Sequence, residues 1–79
     1  MKLKKDIAIS DSGFLFNPSS GDSYTANPIA TEILKYMQSG FSNEQIIVSI
    51  MESYDVERST IEKDLFDLES MLSNYKLTR

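Results

Sequence analysis

Apolar residues along this chain follow two different periods. Over the first 26 positions they alternate with polar ones, and Leu3, Ile7 and Ile9 approximate the period of two expected of a half-buried strand. Asp11-Ser12-Gly13 interrupts that run with turn chemistry, because glycine tolerates a positive φ and aspartate can bond the backbone that follows it. Phe14-Leu15-Phe16 is a second β-prone run, and Asn17 to Asp22 is a second turn-rich loop. Ser23-Tyr24-Thr25-Ala26 makes a third strand, favoured by its tyrosine and threonine. Three strands joined by short links predict a small, strongly twisted antiparallel meander.

From Asn27 onward the period is helical. Asn27 is a good N-cap and Pro28 a good first helical residue, whose missing N–H would be unpaired there in any case. Ile29, Ile33, Leu34 and Met37 fall on one face, and Gly40 closes the helix. Ser42 and Gln45 have the spacing of a capping box for a second helix, with Phe41 and Ile46 placed for a hydrophobic staple. The buried face of that helix is expected at Ile46, Ile47, Ile50, Met51 and Tyr54. Asp55-Val56-Glu57 links it to a third helix over Arg58 to Tyr75, whose Ile61, Leu65, Leu68, Leu72 and Tyr75 form a core-facing stripe. The prediction is an α+β fold of order βββααα over residues 1–79, one domain, with a winged helix-turn-helix-like core and a three-stranded antiparallel sheet.

Composition narrows what such a domain can do. At 79 residues the chain buries roughly 60% of its unfolded surface, so its stability will be modest. It has no cysteine and no histidine. Disulfides and thiolate metal sites are therefore out of reach, as are the usual nitrogen ligand for zinc and the usual near-neutral general base. Eight basic residues against twelve acidic give a formal charge of −4. The basic cluster Lys2, Lys4 and Lys5 sits at the terminus, while Glu57, Glu62, Asp64, Asp67 and Glu69 run along the last helix. That balance favours a neutral or basic partner and disfavours nucleic acid. The second helix offers only Asn43 and Gln45, both next to its cap, to the base edges a DNA-reading helix must address. No apolar run approaches the ~20 residues of a membrane span and no secretory segment precedes the domain, so a cytoplasmic protein without membrane partners is expected.

Candidate catalytic groups reduce to structural ones. Asp64 and Asp67 stand three residues apart and can meet on one helix face, but they lie beside the apolar stripe, in solvent, where neither is desolvated enough for acid–base work. Ser10, Ser12, Ser19, Ser20 and Ser23 have no histidine to activate them. Gly13 and Gly21 match no phosphate-loop spacing and belong to turns. The reading is a non-enzyme that needs no cofactor.

Peptide binding suits the pattern better. A sheet this small has exposed edges, and an edge is a template for an added strand. Ser23 to Ala26 runs straight into the first helix and is one such edge; a third helix beside it would add an apolar wall. Asp64, Leu68 and Met71 lie on one flank of the stripe, and the thioether of Met71 suits a groove that accepts varied apolar side chains. Plain core filling is the alternative for Met71, and packing within the sheet the alternative for Tyr24. Phe66 points nearly opposite the stripe, either as an exposed contact or under a chain terminus.

The ordered motifs also carry a family likeness. Asp11-Ser12-Gly13-Phe14-Leu15-Phe16-Asn17-Pro18 and then Ser20-Gly21-Asp22-Ser23-Tyr24-Thr25-Ala26-Asn27-Pro28-Ile29-Ala30-Thr31-Glu32-Ile33-Leu34 resemble the PqqD family. Ser39-Gly40-Phe41-Ser42, Tyr54-Asp55-Val56 and Ile61-Glu62-Lys63-Asp64-Leu65 continue in register. The resemblance implies a RiPP recognition element, a domain that binds the leader of a ribosomally synthesised, post-translationally modified peptide as a strand between the third strand and the third helix. It also implies presentation of that precursor to a modifying enzyme, often a radical SAM protein. Carried onto this sequence, the peptide-binding residues would be Asp22, Ser23, Tyr24, Thr25 and Ala26 with Asp64, Leu65, Asp67, Leu68 and Met71. The chain departs from the family at Tyr75-Lys76-Leu77, where a glycine is usual. Two other readings remain open from sequence: an acidic winged-helix protein acting in transcription or mimicking DNA, and a homo-oligomer formed by exchange at the sheet edge.

Overall fold

The computed structural model describes residues 3–78; Lys2 of the basic cluster lies outside them. Three strands precede three helices: β1 (Ala8–Ile9), β2 (Phe14–Asn17), β3 (Asp22–Thr25), α1 (Pro28–Gln38), α2 (Asn43–Ser53) and α3 (Arg58–Asn74). The sheet is antiparallel with the order β1-β2-β3. This is the predicted α+β arrangement with its βββααα order.

The first strand is shorter than its apolar alternation implies. A turn at Lys5 and Asp6, closed by the Ile7 N–H on the Lys4 carbonyl at 3.3 Å, separates Leu3 from the sheet. Leu3 instead forms an isolated antiparallel bridge with Thr78, so the two chain ends meet. The β2–β3 register pairs Leu15 with Tyr24, Phe14 with Thr25, Phe16 with Ser23 and Asn17 with Asp22. Because side chains alternate across a strand, Ile9, Leu15 and Tyr24 share the core-facing side, while Phe14, Phe16, Ser23 and Thr25 share the outer, exposed side. Gly13 shows why the hairpin begins where it does. Its φ is +97°, and a Cβ there would be driven into the Ala26 carbonyl oxygen, so only glycine lets the two backbones close.

The helix ends use the chemistry read from the sequence. The Asn27 Oδ1 accepts the Ala30 N–H at 2.8 Å. At the far end of α1 the N–H of Gly40 donates to the Met37 carbonyl and that of Phe41 to the Tyr36 carbonyl, both at 3.0 Å, a Schellman turn with Gly40 at φ +88°. The same turn stacks the Phe41 ring on Tyr36, with centroids 4.8 Å apart. Phe41 then leads into α2, whose capping box is complete: Gln45 N–H donates to Ser42 Oγ, and Ser42 N–H to Gln45 Oε1. Arg58, the first residue of α3, reaches across to Glu44 in the first turn of α2 with two hydrogen bonds of 2.5 and 2.9 Å and also contacts Glu62.

One core results. Leu15 from the sheet, Ile33, Leu34 and Met37 from α1, Ile46, Ile47 and Ile50 from α2, and Ile61, Leu65, Leu68 and Leu72 from α3 are buried together with Leu3, Ile7 and Leu77. Of the expected core positions, Ile29 and Tyr54 are only partly buried against it and two others are exposed. Met51 is 39% exposed, because each helical residue advances 100° and the face of α2 centred on Ile46, Ile47 and Ile50 leaves it at the margin. Tyr75 is 52% exposed, because α3 ends at Asn74 and the stripe ends with it.

α3 is closed by a turn that lacks a glycine. Lys76 N–H donates to the Ser73 carbonyl at 3.1 Å and Leu77 N–H to the Leu72 carbonyl at 2.8 Å, a second Schellman turn. Lys76 occupies its left-handed position at φ 58°. The turn folds Leu77 back into the core, fully buried, where its carbonyl accepts the Lys4 N–H at 2.9 Å. A lysine in that conformation costs about 1–2 kcal/mol, which burial of Leu77 offsets.

Two substitutions should therefore move stability in opposite directions. Lys76→Gly relieves the left-handed strain against a greater entropy loss on folding, for a net gain of about 0.5–1 kcal/mol and a Tm higher by roughly 2–8 °C. Gly13→Ala combines the left-handed cost with a clash at Ala26 and should lose about 2–4 kcal/mol. Urea unfolding of both variants measures this; an unchanged or lower midpoint for Lys76→Gly would contradict the role given to that turn.

Candidate functional site

β3 is an edge of the sheet, pairing only with β2 among the described residues, and is the longer of the two edge strands, four residues against two in β1. Which of its backbone groups face outward follows from the register. The Ala26 N–H donates to the Gly13 carbonyl at 2.7 Å, which makes Gly13 and Ala26 a hydrogen-bonded pair. Antiparallel ladders alternate bonded and non-bonded pairs, so Leu15–Tyr24 and Asn17–Asp22 are bonded as well. Ser23 and Thr25 then turn their N–H and C=O groups away from β2, toward the open edge. The Ser10 N–H on the Phe14 carbonyl, 2.8 Å, gives the matching alternation between β1 and β2.

Past the end of β3 the chain enters α1, and here α3 lies alongside. Asn27, Ile29, Ala30 and Ile33 from α1 face Asp64, Asp67, Leu68 and Met71 from α3 across a cavity of about 240 Å³. Positions 64, 67, 68 and 71 share one helix face by their spacing of three and four. Ile29 and Met71 are half-buried and Leu68 is buried, so the floor is apolar, whereas Asp64 and Asp67 are exposed at the rim. Lys63 sits 3.4 Å from Asp67. Asp64 makes no ion pair among the described residues. The volume falls below the ~300–1,000 Å³ of typical small-molecule pockets, a space for one or two side chains rather than a cofactor.

The residues singled out from sequence divide between three places. Ser23 and Thr25 present the open backbone, with exposed side chains on the outer sheet face. Asp22 closes the hairpin opposite Asn17, at the end of β3 remote from the cavity. Ala26 is half-buried at the junction with α1. Tyr24 is half-buried opposite Leu15 and stacks on Tyr75, with ring centroids 4.8 Å apart, which ties the edge strand to the end of α3. Asp64, Asp67, Leu68 and Met71 come together at the cavity, while Leu65 is 4% exposed in the core and does not line it. Sequence reasoning assigned Ile29 and Ile33 wholly to the core and missed them as the opposite wall. Their spacing of four was visible, but which partner helix they faced was not. Phe66 is 70% exposed, so it is not covered by a chain terminus among the described residues.

A larger recess of about 850 Å³ lies near the N-terminus of α2, between Leu3, Lys5, Met37 and Phe41; none of the sequence-predicted residues lines it. Among the described residues no group of three or more histidine, cysteine or acidic side chains could hold a metal ion. No helix there is long and apolar enough to cross a membrane.

Comparison with known proteins gives the family and a structure of the same fold. The family model described as coenzyme PQQ synthesis protein D (PqqD) matches residues 13–77, and the chain belongs to that family. A solved structure with the same fold is that of TbiB1 in complex with the TbiA(beta) leader peptide. It is 27% identical, with 100% of this chain and 95% of that one covered and a TM-score of 0.86. A search of curated proteins gives no match.

The environment of Tyr24 has a measurable consequence. Burial, followed by the charges of Asp22 and Tyr75, raises its phenol above the ordinary value of 10.0. A raised value favours the neutral phenol in the folded state, so its contribution to stability holds below pH 10 and is lost as pH rises through the folded value. Burial and Glu32 raise Tyr54 as well, so ultraviolet titration of phenolate should show a late-ionising component that Tyr24→Phe reduces by one phenol; a titration unchanged by that substitution would contradict the packing described.

Proposed function

We propose that this protein is a non-catalytic carrier for a ribosomally made precursor peptide. It binds the leader as a fourth strand on β3 and seats leader side chains in the cavity between α1 and α3. The observation that carries this reading is the juxtaposition of an open strand edge, at Ser23 and Thr25, with an apolar cavity that begins where the strand ends. Backbone pairing at an edge supplies affinity with little sequence demand, and a pocket for alternate side chains supplies specificity. Family membership and the likeness to a protein solved with a leader peptide support the same assignment. The binding residues are then Ser23, Tyr24, Thr25 and Ala26 on one side and Asp64, Asp67, Leu68 and Met71 on the other. Asp22 contributes charge at the far end, and Leu65 supports the α3 face from beneath.

A carrier of this kind needs a second partner, the enzyme that modifies the core of the precursor. A radical SAM protein is the partner that the family resemblance favours, and the cytoplasm, where precursors are made, is the compartment. The absence of histidine and cysteine leaves this chain without the usual nucleophiles and bases, which supports a holding role rather than a chemical one.

Thr25→Pro tests the edge directly. The Thr25 N–H is not spent on β2, so proline there removes a donor only from the open side, where edge strands tolerate it. Anisotropy with the labelled leader encoded beside this chain's gene should show binding weakened about tenfold or more. A net hydrogen bond is worth about 0.5–1.5 kcal/mol, and the ring also obstructs the incoming strand. Circular dichroism should be unchanged. Unaltered affinity, or leader-induced NMR shifts confined to α2, would exclude the added-strand mode.

A further inference from the structure

The cavity between α1 and α3 is asymmetric in a way that specifies what enters it. The stacking of Tyr24 on Tyr75 places the C-terminal end of α3 against β3. Moving away from the strand along the α3 face, the first wall residues met are Met71 and Leu68, and the last is Asp64. A segment that leaves the β3 edge and continues along this seam therefore meets apolar surface first and a carboxylate afterwards. No cation of the described chain is paired with that carboxylate, and the only one recorded beside Asp67, Lys63, is an exposed contact at 3.4 Å. The rest of the surroundings do not neutralise it: α3 carries four carboxylates against two cations, and one of the cations, Arg58, is engaged by Glu44 and Glu62.

We infer that the segment bound here carries an apolar side chain followed, at a fixed short distance, by a lysine or arginine. The apolar group fills the space over Leu68, Met71, Ile29 and Ile33, and the basic group lies at Asp64. This inference rests on the peptide-binding reading above and names the class of sequence that reading requires. The spacing follows from geometry. Met71 and Asp64 are seven residues apart, about 10 Å along a helix axis at 1.5 Å per residue. An extended peptide covers that length in about three residues at roughly 3.3 Å each. Asp67 lies between them, but Lys63 stands beside it at 3.4 Å, so the preference belongs to Asp64. Opposite charge at a rim of this kind tunes selectivity and association rate more than it adds raw affinity, so the effect belongs to discrimination among peptides.

The test uses the whole chain and three synthetic peptides, identical except at one position. Each is an alternating β-prone decapeptide with a single leucine anchor and, three residues beyond it, lysine, glutamine or glutamate. Amide NMR titration follows Ser23 and Thr25 for strand addition, and fluorescence anisotropy at low salt gives the affinities. The lysine peptide should bind about three- to tenfold more tightly than the glutamate peptide, with glutamine between them. That spread should collapse in Asp64→Asn and shrink on adding salt, since exposed charges are screened. Equal binding of all three peptides with shifts at Ser23 and Thr25, or a spread that survives in Asp64→Asn, overturns the charge inference and leaves the peptide-binding reading standing. A preference for glutamate does the same. Failure of all three to shift Ser23 and Thr25 removes both.

Discussion

α3 is a 17-residue helix with a largely polar sequence, and its place in the molecule depends on one narrow seam. Ile61, Leu65, Leu68 and Leu72 are the residues it buries, and both α1 and α2 close over them. Helices this polar owe their stability to tertiary burial of an apolar face rather than to propensity. The seam also determines where the functional face falls. With Ile61, Leu65 and Leu72 turned inward, the flank of Asp64, Asp67, Leu68 and Met71 is directed at the start of α1. Rotation of α3 by one residue, about 100°, would carry this flank either into the core, burying its carboxylates, or away from α1.

Both ends of that helix are held by means that local rules only partly account for. At its start, Arg58 fastens α3 to the first turn of α2 through Glu44, whose carboxyl is held below its ordinary value mainly by this hydrogen bond. The pair is exposed, so it guides orientation more than it stabilises. At its end, the Schellman turn through Lys76 reverses the chain and drives Leu77 into the core, beside the Leu3–Thr78 bridge. A fold of this size has little surplus stability. Closing the termini in this way recruits Leu3 and Leu77, residues that the six elements alone would not contribute.

The division of labour between sheet and helices suits a module that holds an extended ligand. The sheet keeps its core side filled by Ile9, Leu15 and Tyr24 and leaves the β3 edge unpaired among the described residues, the feature that most proteins suppress. In the proposed mode, backbone groups at Ser23 and Thr25 would pair with any strand, and side-chain discrimination would fall to α1 and α3.

Much of this was legible in the order of residues. The two periods, the Asn27-Pro28 entry, the Ser42–Gln45 box and the glycine turns act within a few positions of themselves, so the elements and their sequence followed from local chemistry. The proposal of an added strand at residues 23–26 facing 64–71 combines helical spacing with family likeness. The facing wall of the cavity, the stacking of Tyr24 on Tyr75, the exposure of Met51 and the pairing of Leu3 with Thr78 could not. Each depends on how one element is rotated and docked against another far away in the chain, and periodicity reports which face is apolar but not what that face meets. Lys76 shows the same limit: the missing glycine was visible in sequence, but only the burial of Leu77 explains why the chain accepts the left-handed turn without it.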